Sequence, residues 1–128
     1  MLDANLCIRV LRDRPAKIRN QFEMTAASLA ISTIVLHELL YGAERSERPE
    51  YQRQKVADFA DNLTILNFDA AAALHAAQIK TTLAIQGNLI GPNDLLIAGH
   101  ARSLGLKLIT GNLREFARVD GLRCEDWL

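Results

Sequence analysis

Four acidic residues lie far apart in the sequence, at places where folding alone rarely requires a carboxylate: Asp3, Glu38, Asp94 and Glu115. Asp3 and Asp94 are flanked by apolar segments. If the fold gathers the four carboxylates, their charges repel each other, and a divalent cation would hold them ionised side by side. Carboxylates are also the ligands that a hard cation such as Mg²⁺ prefers. These residue types therefore predict a metal site.

Each acid also has a purely structural explanation. Asp3 could cap a helix that begins near Asn5, and Asp94 could be favoured only as a dipole partner of its own helix. Glu38 could be a surface residue, and Glu115 could pair with one of the arginines beside it, Arg114 or Arg118. The hypothesis of a site therefore rests on the joint placement of the acids, after elements that should converge.

Short apolar segments alternate with helical segments along the chain. Strands are predicted at residues 1–3, 29–33, 63–67, 106–110 and 122–125. Helices are predicted at residues 5–11, after Pro15, at 33–44, after Pro49 to about residue 61, at 70–86 after an Asp69 cap, and after an Asn93 cap to residue 104. Strands that alternate with helices of this length predict an α/β fold, with a parallel sheet covered on both faces.

This architecture predicts where a site lies. In open α/β sheets, ligands bind beyond the carboxyl ends of the strands. Asp3 follows the first strand, Thr110 ends the fourth, and Glu38 lies in the helix after the second. Asp94 follows the predicted Asn93 cap, so the helix N-terminus is expected to favour its charge and to keep it ionised. Separate segments thus deliver polar groups to one edge of the sheet.

Length and composition limit the class of protein. A chain of 128 residues is expected to form one domain, spanning residues 1–128. No apolar run approaches the roughly 18 residues of a membrane span, and Asp3 and Arg9 interrupt any signal peptide. We therefore expect a cytoplasmic protein with no membrane partner. In that compartment the two cysteines, Cys7 and Cys124, are expected to be reduced.

The basic residues are informative through their type and position rather than their number. The 15 basic and 15 acidic residues cancel, so no overall charge predicts a polyanionic partner. Most of the bases are Arg, which suits bidentate phosphate contacts. Bases cluster near the N-terminus, where they could guide an RNA backbone: Arg9, Arg12, Arg14, Lys17 and Arg19. The alternative is an ordinary solvated helical face.

Four motifs carry these acids in order: MLDANL at residues 1–6, STIVLHELLYGA at 32–43, GPNDLLIA at 91–98 and TGNLREF at 110–116. Together they resemble the successive motifs of PIN-domain ribonucleases, specifically the VapC-type toxins of bacterial toxin–antitoxin pairs. The resemblance spans nearly the whole chain.

The resemblance implies a fold, an activity and partners. The fold would be a three-layer α/β/α sandwich with a central parallel sheet, in a homodimer. The activity would be Mg²⁺- or Mn²⁺-dependent endonucleolytic cleavage of structured RNA, which inhibits translation; tRNA is the first expectation and a ribosomal RNA loop the second. The partner would be a cognate VapB-type antitoxin, and DNA would be contacted only through it.

The resemblance also implies roles for individual residues. Asp3, Glu38 and Asp94 fall at invariant acidic positions of the family and are expected to hold the metal, directly or through water. Asn112 falls where many members carry a fourth acid, and it completes the expected catalytic set. The residues expected to support this set are Thr110, Glu115 and Asn5.

Two alternatives remain open. Ala4 stands where the family usually has Thr or Ser, which removes a hydroxyl beside Asp3. The chain could therefore be a PIN scaffold that binds RNA or protein without cleavage. A phosphoacceptor receiver domain also gathers acids around Mg²⁺, but it requires adjacent acids after its first strand and a Lys after its last. This chain has Ala4 and Asn5 after Asp3, and Thr110 followed by Gly111 at the last position.

Overall fold

Helices and short strands alternate in the computed structural model, which describes residues 1–12 and 28–127. The predicted helix after Pro15 falls outside the described residues, as do Arg14, Lys17 and Arg19. In chain order the elements are α1 Ala4–Arg12, β1 Ala30–Ser32, α2 Thr33–Glu44, α3 Pro49–Asp61, β2 Thr64–Leu66, α4 Ala70–Ile85, α5 Pro92–Ser103, β3 Leu108–Ile109, α6 Leu113–Phe116 and β4 Cys124–Glu125.

The strands form two parallel pairs. β1 pairs with β2, with Ala30 opposite Thr64, and β3 pairs with β4, with Leu108 opposite Cys124. Parallel neighbours need a helical crossover between them, and α2 with α3 supplies the one between β1 and β2. The predicted parallel α/β arrangement is confirmed, although each strand is only two or three residues long.

The first three residues join the two pairs. The backbone N–H of Leu2 donates to the carbonyl of Ala30 at 2.9 Å, which attaches this segment to β1. On its other side, Leu2 forms a parallel bridge with Ile109, and the Asp3 N–H donates to the Ile109 carbonyl at 3.1 Å. The predicted strand at residues 1–3 is therefore reduced to a single bridge.

The order across the described strands is β2, β1, residues 1–3, β3 and β4. The chain thus builds outward on both sides of its own N-terminal segment. In open α/β sheets a ligand crevice opens where the strand order reverses in this way. Asp3 lies at that point, at the carboxyl end of the central segment.

The helix starts follow local capping chemistry, with one correction. Asp69 caps α4, as predicted, and Ser32 caps α2; in each case a side-chain oxygen accepts a backbone N–H. The predicted Asn93 cap of α5 is wrong, because α5 begins after Gly91 with Pro92 as its first residue. Proline suits that position, since its missing N–H would have no partner in the helix. Asn93 is therefore inside the first turn.

Aliphatic side chains from every layer form the core, and helices pack on one another around it. Leu2, Ile31, Ile97, Leu108 and Phe116 are fully buried. α1, α2 and α3 pack together, and α4 packs along α5. In the described part of the chain, no helix is long and apolar enough to cross a membrane.

α4 and α5 approach each other closely at a glycine. A Cβ placed on Gly99 would lie 2.5 Å from the backbone nitrogen of Ala76. No side chain fits that distance, so the hydrogen of Gly99 is what lets the two helices touch. α4 ends at Ile85 and α5 at Ser103, and each is followed by a glycine, Gly87 or Gly105, whose φ of 64° or 66° lies in the left-handed region that favours glycine.

Candidate active site

A cleft of about 450 Å³ opens beyond the carboxyl ends of the strands. Three elements border it: the start of α1, the middle of α2 and the first turn of α5. The residues lining it are Ala4, Asn5, Glu38, Gly91, Pro92, Asn93 and Asp94. Two of the four acids that the sequence singles out thus line one cleft, at the edge of the sheet where it was predicted.

Asp3 is the most deeply buried of the acids, with 2% of its surface exposed. One carboxylate oxygen accepts the backbone N–H of Leu6 at 2.9 Å, so Asp3 does cap α1. The other oxygen accepts the hydroxyl of Thr110 in a short hydrogen bond. Burial raises the pKa of Asp3, while these two hydrogen bonds lower it and the charges of Glu38 and Asp126 raise it further. Asp3 therefore caps α1, and its carboxylate also interacts with the charge of another acid of the site, Glu38.

Thr110 links Asp3 to the turn that follows β3. While its hydroxyl donates to Asp3, the same oxygen accepts the backbone N–H of Asn112 at 2.8 Å. The side-chain amide of Asn112 in turn donates to Glu115 at 2.7 Å. Thr110 and Asn112 were expected to belong to the site, Asn112 in the catalytic set and Thr110 in support of it. In the structure their polar groups hold two of the acids in place.

Asp94 shows that the four acids act on one another. Burial is the largest cause that raises the pKa of Asp94, to about 6, followed by the charges of Glu115, Asp3 and Glu38. Burial and three neighbouring acids thus outweigh the helix dipole, which was expected to favour this charge, but a pKa of about 6 still leaves Asp94 mostly ionised near neutral pH. Among the neighbouring charges, that of Glu115 raises the pKa of Asp94 most. Glu115 therefore belongs closer to the centre of the site than the sequence indicated.

Glu38 is tied across the cleft by a residue that sequence reasoning missed. The side-chain amide of Asn93 donates to Oε1 of Glu38 at 2.5 Å. This bond joins the first turn of α5 to the middle of α2, 55 residues away in the chain. The sequence did contain a signal of this role, a polar amide next to Asp94 at the mouth of the predicted site. Its place at the start of a helix favoured the prediction of a cap instead.

The donor set suits a hydrated hard cation better than a closed cage. Within residues 1–12 and 28–127, no group of three or more His, Cys, Asp or Glu is arranged to hold a metal ion. Mg²⁺, however, usually keeps several waters and binds through one or two carboxylates. The repulsion that raises the pKa of Asp94 is also what a cation would relieve. The residues present therefore fit such an ion at this cleft.

The remaining candidates lie around the cleft or outside the described residues. Asn5 is exposed and lines the cleft beside Ala4. Arg9 and Arg12 are exposed on the last turns of α1, on the same helix that Asp3 caps. Arg14 and Arg19, the other two arginines predicted to contact RNA, lie outside the described residues. Their role remains a prediction.

Comparison with known proteins places the whole chain. A model of the PIN domain matches residues 1–122. The tRNA(fMet)-specific endonuclease VapC of Shigella flexneri is 48% identical over 127 residues, which cover 99% of this chain and 96% of the relative. Ribonuclease VapC2 of Haemophilus influenzae is 48% identical over 128 residues, covering 100% of this chain and 97% of the relative.

Solved structures agree with the sequence comparison. A DNA-bound VapBC structure from Salmonella typhimurium matches with a TM-score of 0.97 and 46% identity, covering 100% of this chain and 97% of that chain. VapBC2 from Rickettsia felis, bound to a promoter DNA fragment, matches with a TM-score of 0.95 and 37% identity, covering 100% and 98%. These matches confirm the predicted PIN-like sandwich. The chain belongs to the PIN domain family, within its VapC ribonuclease branch.

Proposed function

We propose that this chain is a metal-dependent endoribonuclease, the toxin of a toxin–antitoxin pair, and that tRNA is its substrate. The observation that carries the proposal is that Glu38 and Asp94 line one cleft and that the charges of Glu115, Asp3 and Glu38 act on Asp94, in a chain of this family. The VapC relative from Shigella and a second, 46% identical, from Salmonella typhimurium are both named tRNA(fMet)-specific endonucleases, which favours initiator tRNA. A ribosomal RNA loop is the second candidate, and inhibition of translation is the expected consequence of cutting either.

The reaction class follows from the donor set. Attack on a phosphodiester develops negative charge on the non-bridging and leaving oxygens, and a bound Mg²⁺ or Mn²⁺ would supply charge stabilisation and lower the pKa of water. Asp3 and Asp94 would hold the ion, directly or through water. Glu38 would be a further ligand or would orient the attacking water.

The protein's own residues prepare this site before any ligand arrives. Asp3 is fixed by two hydrogen bonds, from the Leu6 N–H and the Thr110 hydroxyl, so its carboxylate has one orientation. Glu38 is half-buried and borders the cleft, where a carboxylate can accept a proton from water. Asn112 holds Glu115, which adds negative charge beside Asp94. Such preorganisation is the main means by which an enzyme lowers a barrier of this kind.

A nuclease that attacks the RNA of its own cell needs a restraint. The Salmonella and Rickettsia structures are of VapBC bound to DNA. We therefore propose a VapB-type antitoxin as partner, a homodimer of the toxin, and contact with DNA only through the antitoxin. Expression of the chain alone should arrest growth, and expression with its cognate antitoxin should restore it. Harmless expression of the intact, folded chain would contradict the toxin role.

The decisive experiment maps the cut. Purified protein is incubated with total cellular RNA and Mg²⁺, and new RNA ends are identified by sequencing. We expect ends within a tRNA, none in EDTA, and none with Asp94→Asn. The same ends from the folded Asp94→Asn variant would exclude this cleft as the source of cleavage.

A scaffold that binds without cleaving is the second candidate, and one observation favours it. Ala4 borders the cleft next to Asp3, where the family usually supplies a hydroxyl. Filter binding with the same tRNA separates the two proposals. Binding without new ends in Mg²⁺ or Mn²⁺, together with restoration of cleavage by Ala4→Thr, would favour the scaffold.

A further inference from the structure

One hydrogen bond crosses the mouth of the cleft and has no role in the proposed chemistry. The amide of Asn93, in the first turn of α5, donates to Oε1 of Glu38 on α2 at 2.5 Å. It is a contact between two elements, not a local cap, because the residues are 55 positions apart. The direction of this hydrogen bond is fixed, because an ionised carboxylate can only accept and the amide NH₂ can only donate.

Charge explains why such a bond is needed. Glu38 adds to the repulsion that raises the pKa of Asp94, the residue directly after Asn93. A glutamate has three rotatable side-chain bonds, so repulsion would turn an untied Glu38 away from the cleft. A neutral amide can hold the carboxylate without adding a positive charge that would compete with a cation. It also occupies only Oε1 of the two carboxylate oxygens.

The same device appears at two other acids of the site. The Thr110 hydroxyl donates to Asp3, and the Asn112 amide donates to Glu115. In each case an uncharged donor from another segment, or from a neighbouring turn, holds one oxygen of an acid. Asn93 is therefore one of three neutral side-chain donors to these acids, and it is the one that reaches Glu38.

We propose that Asn93 is a positioning residue that fixes Glu38 in the orientation needed at the cleft. Its value for catalysis rests on the proposed nuclease function, whereas its effect on Glu38 does not. Loss of the amide should act entirely through Glu38, so the two residues should behave as a coupled pair.

The test is a double-mutant cycle read by Mn²⁺ affinity. Binding is measured by electron paramagnetic resonance on the full-length chain for wild type, Asn93→Ala, Glu38→Gln and the double variant. We expect Asn93→Ala to weaken Mn²⁺ binding about tenfold, as loss of a partner that orients a ligand typically does. The double variant should bind no more weakly than Glu38→Gln alone. Independent, multiplicative losses would overturn the proposal.

A matched control separates positioning from general loss of an asparagine. Asn62→Ala removes an amide that donates to the Asp58 carbonyl at the end of α3, on the surface. We expect Asn62→Ala to leave Mn²⁺ affinity unchanged. In RNA cleavage, Asn93→Ala should lower kcat and leave KM largely unchanged, because the amide orients Glu38 and does not position the RNA.

A second measurement decides the proposal even if the wild type does not bind Mn²⁺. In the metal-free protein, the side-chain ¹⁵N–¹H signals of Asn93 should shift on Glu38→Gln and stay in place on Glu44→Gln, a matched exposed change on the same helix. An Asn93 signal that ignores Glu38 would overturn the proposal. If the two residues are coupled in the cycle and the Asn93 signals shift on Glu38→Gln, but the protein cuts no RNA, the nuclease function is refuted and the positioning role stands.

Discussion

The carboxyl group of Asp94 is in an unfavourable environment when no cation is present. Burial and three acids raise its pKa to about 6, whereas in the unfolded chain it would have the ordinary value of 3.8. The folded state therefore binds a proton more readily than the unfolded state between these values. Linkage then requires the free energy of unfolding to decrease as pH rises from about 4 to about 6.

Asp94→Asn should remove this contribution. In EDTA we expect the variant to melt about 2 to 5 °C above wild type at pH 7, and the difference should shrink toward pH 4.5, where Asp94 is protonated in the folded wild type. Circular dichroism melts at several pH values provide the measurement. A variant that melts lower than wild type at pH 7 would show that the ionised carboxylate stabilises the fold, and would contradict its repulsion by the neighbouring acids.

Thr110 gives a second residue-scale prediction, because its hydroxyl serves a buried acid. Thr110→Val keeps the shape and removes both the donor to Asp3 and the acceptor of the Asn112 N–H. We expect a loss of about 1 to 3 kcal/mol at pH 7, the cost of an unsatisfied buried acceptor. Thr110→Ser, the control, retains the hydroxyl and loses one methyl group.

The pH dependence separates these two Thr110 variants. The penalty of Thr110→Val should decrease as pH falls through the raised pKa of Asp3, since a neutral carboxyl needs the donor less. The smaller penalty of Thr110→Ser should not change with pH. Urea unfolding at pH 7 and pH 4.5 measures both, and parallel pH profiles for the two variants would contradict the role of the hydroxyl.

The acids that meet at the candidate site could be predicted from sequence, and the donor to Glu38 could not. Asp3 and Asp94 each interrupt apolar segments, and Asp3 also follows a strand, whose carboxyl end is where open α/β sheets bind ligands. The bond between Asn93 and Glu38 depends on how closely the start of α5 approaches α2. No local pattern encodes that approach, so Asn93 was assigned the nearest local role, a helix cap.

At the scale of elements, α4 and α5 approach each other at Gly99 too closely for any side chain to fit between them. We expect Gly99→Ala to force the helices apart, because its Cβ would lie 2.5 Å from N, 2.6 Å from Cα and 2.7 Å from Cβ of Ala76. Overpacking of this kind typically costs about 1 to 3 kcal/mol.

Gly42→Ala is the matched control for Gly99→Ala. It lies in α2, where an added Cβ meets nothing within 4 Å, so it should stabilise the protein by about 0.5 to 1 kcal/mol. Urea denaturation curves for both variants test the pair. Similar effects of the same sign would show that helix propensity, and not the helix contact, determines the role of Gly99.

Helix bounds were predictable because helices are encoded locally. The predicted range 33–44 matches α2, which follows the Ser32 cap, and the helix predicted after Pro49 to about residue 61 matches α3, which begins at Pro49 itself. Strands were overestimated, since a strand extends only as far as its partner does. The segment 106–110 was predicted as a strand, and β3 retains only Leu108–Ile109, because β4 offers it only two partners. Pairing of this kind is set by distant residues.

At the scale of the whole molecule, an acidic cleft must receive a polyanion. The chain has no net charge, and the four acids repel RNA unless a cation and surrounding bases compensate. Arg9 and Arg12 are exposed on α1, the helix that Asp3 caps at its other end. Bases at this position could hold the RNA backbone while the cleft acts on one phosphodiester.

Changing both arginines to Gln should therefore separate binding from turnover. If Arg9 and Arg12 each contact one phosphate, the slope of log affinity against log salt should fall in magnitude by about 1.4 to 1.8, because fewer counterions are released. Cleavage at saturating RNA should persist, whereas Asp94→Asn should retain affinity and lose turnover. Lys80→Gln with Arg123→Gln, two exposed bases outside the cleft lining, is the matched control and should leave the slope unchanged. Filter binding over a range of salt concentrations gives the slopes, and a slope unchanged by the Arg9 and Arg12 substitutions would assign this face of α1 to protein contacts instead of RNA.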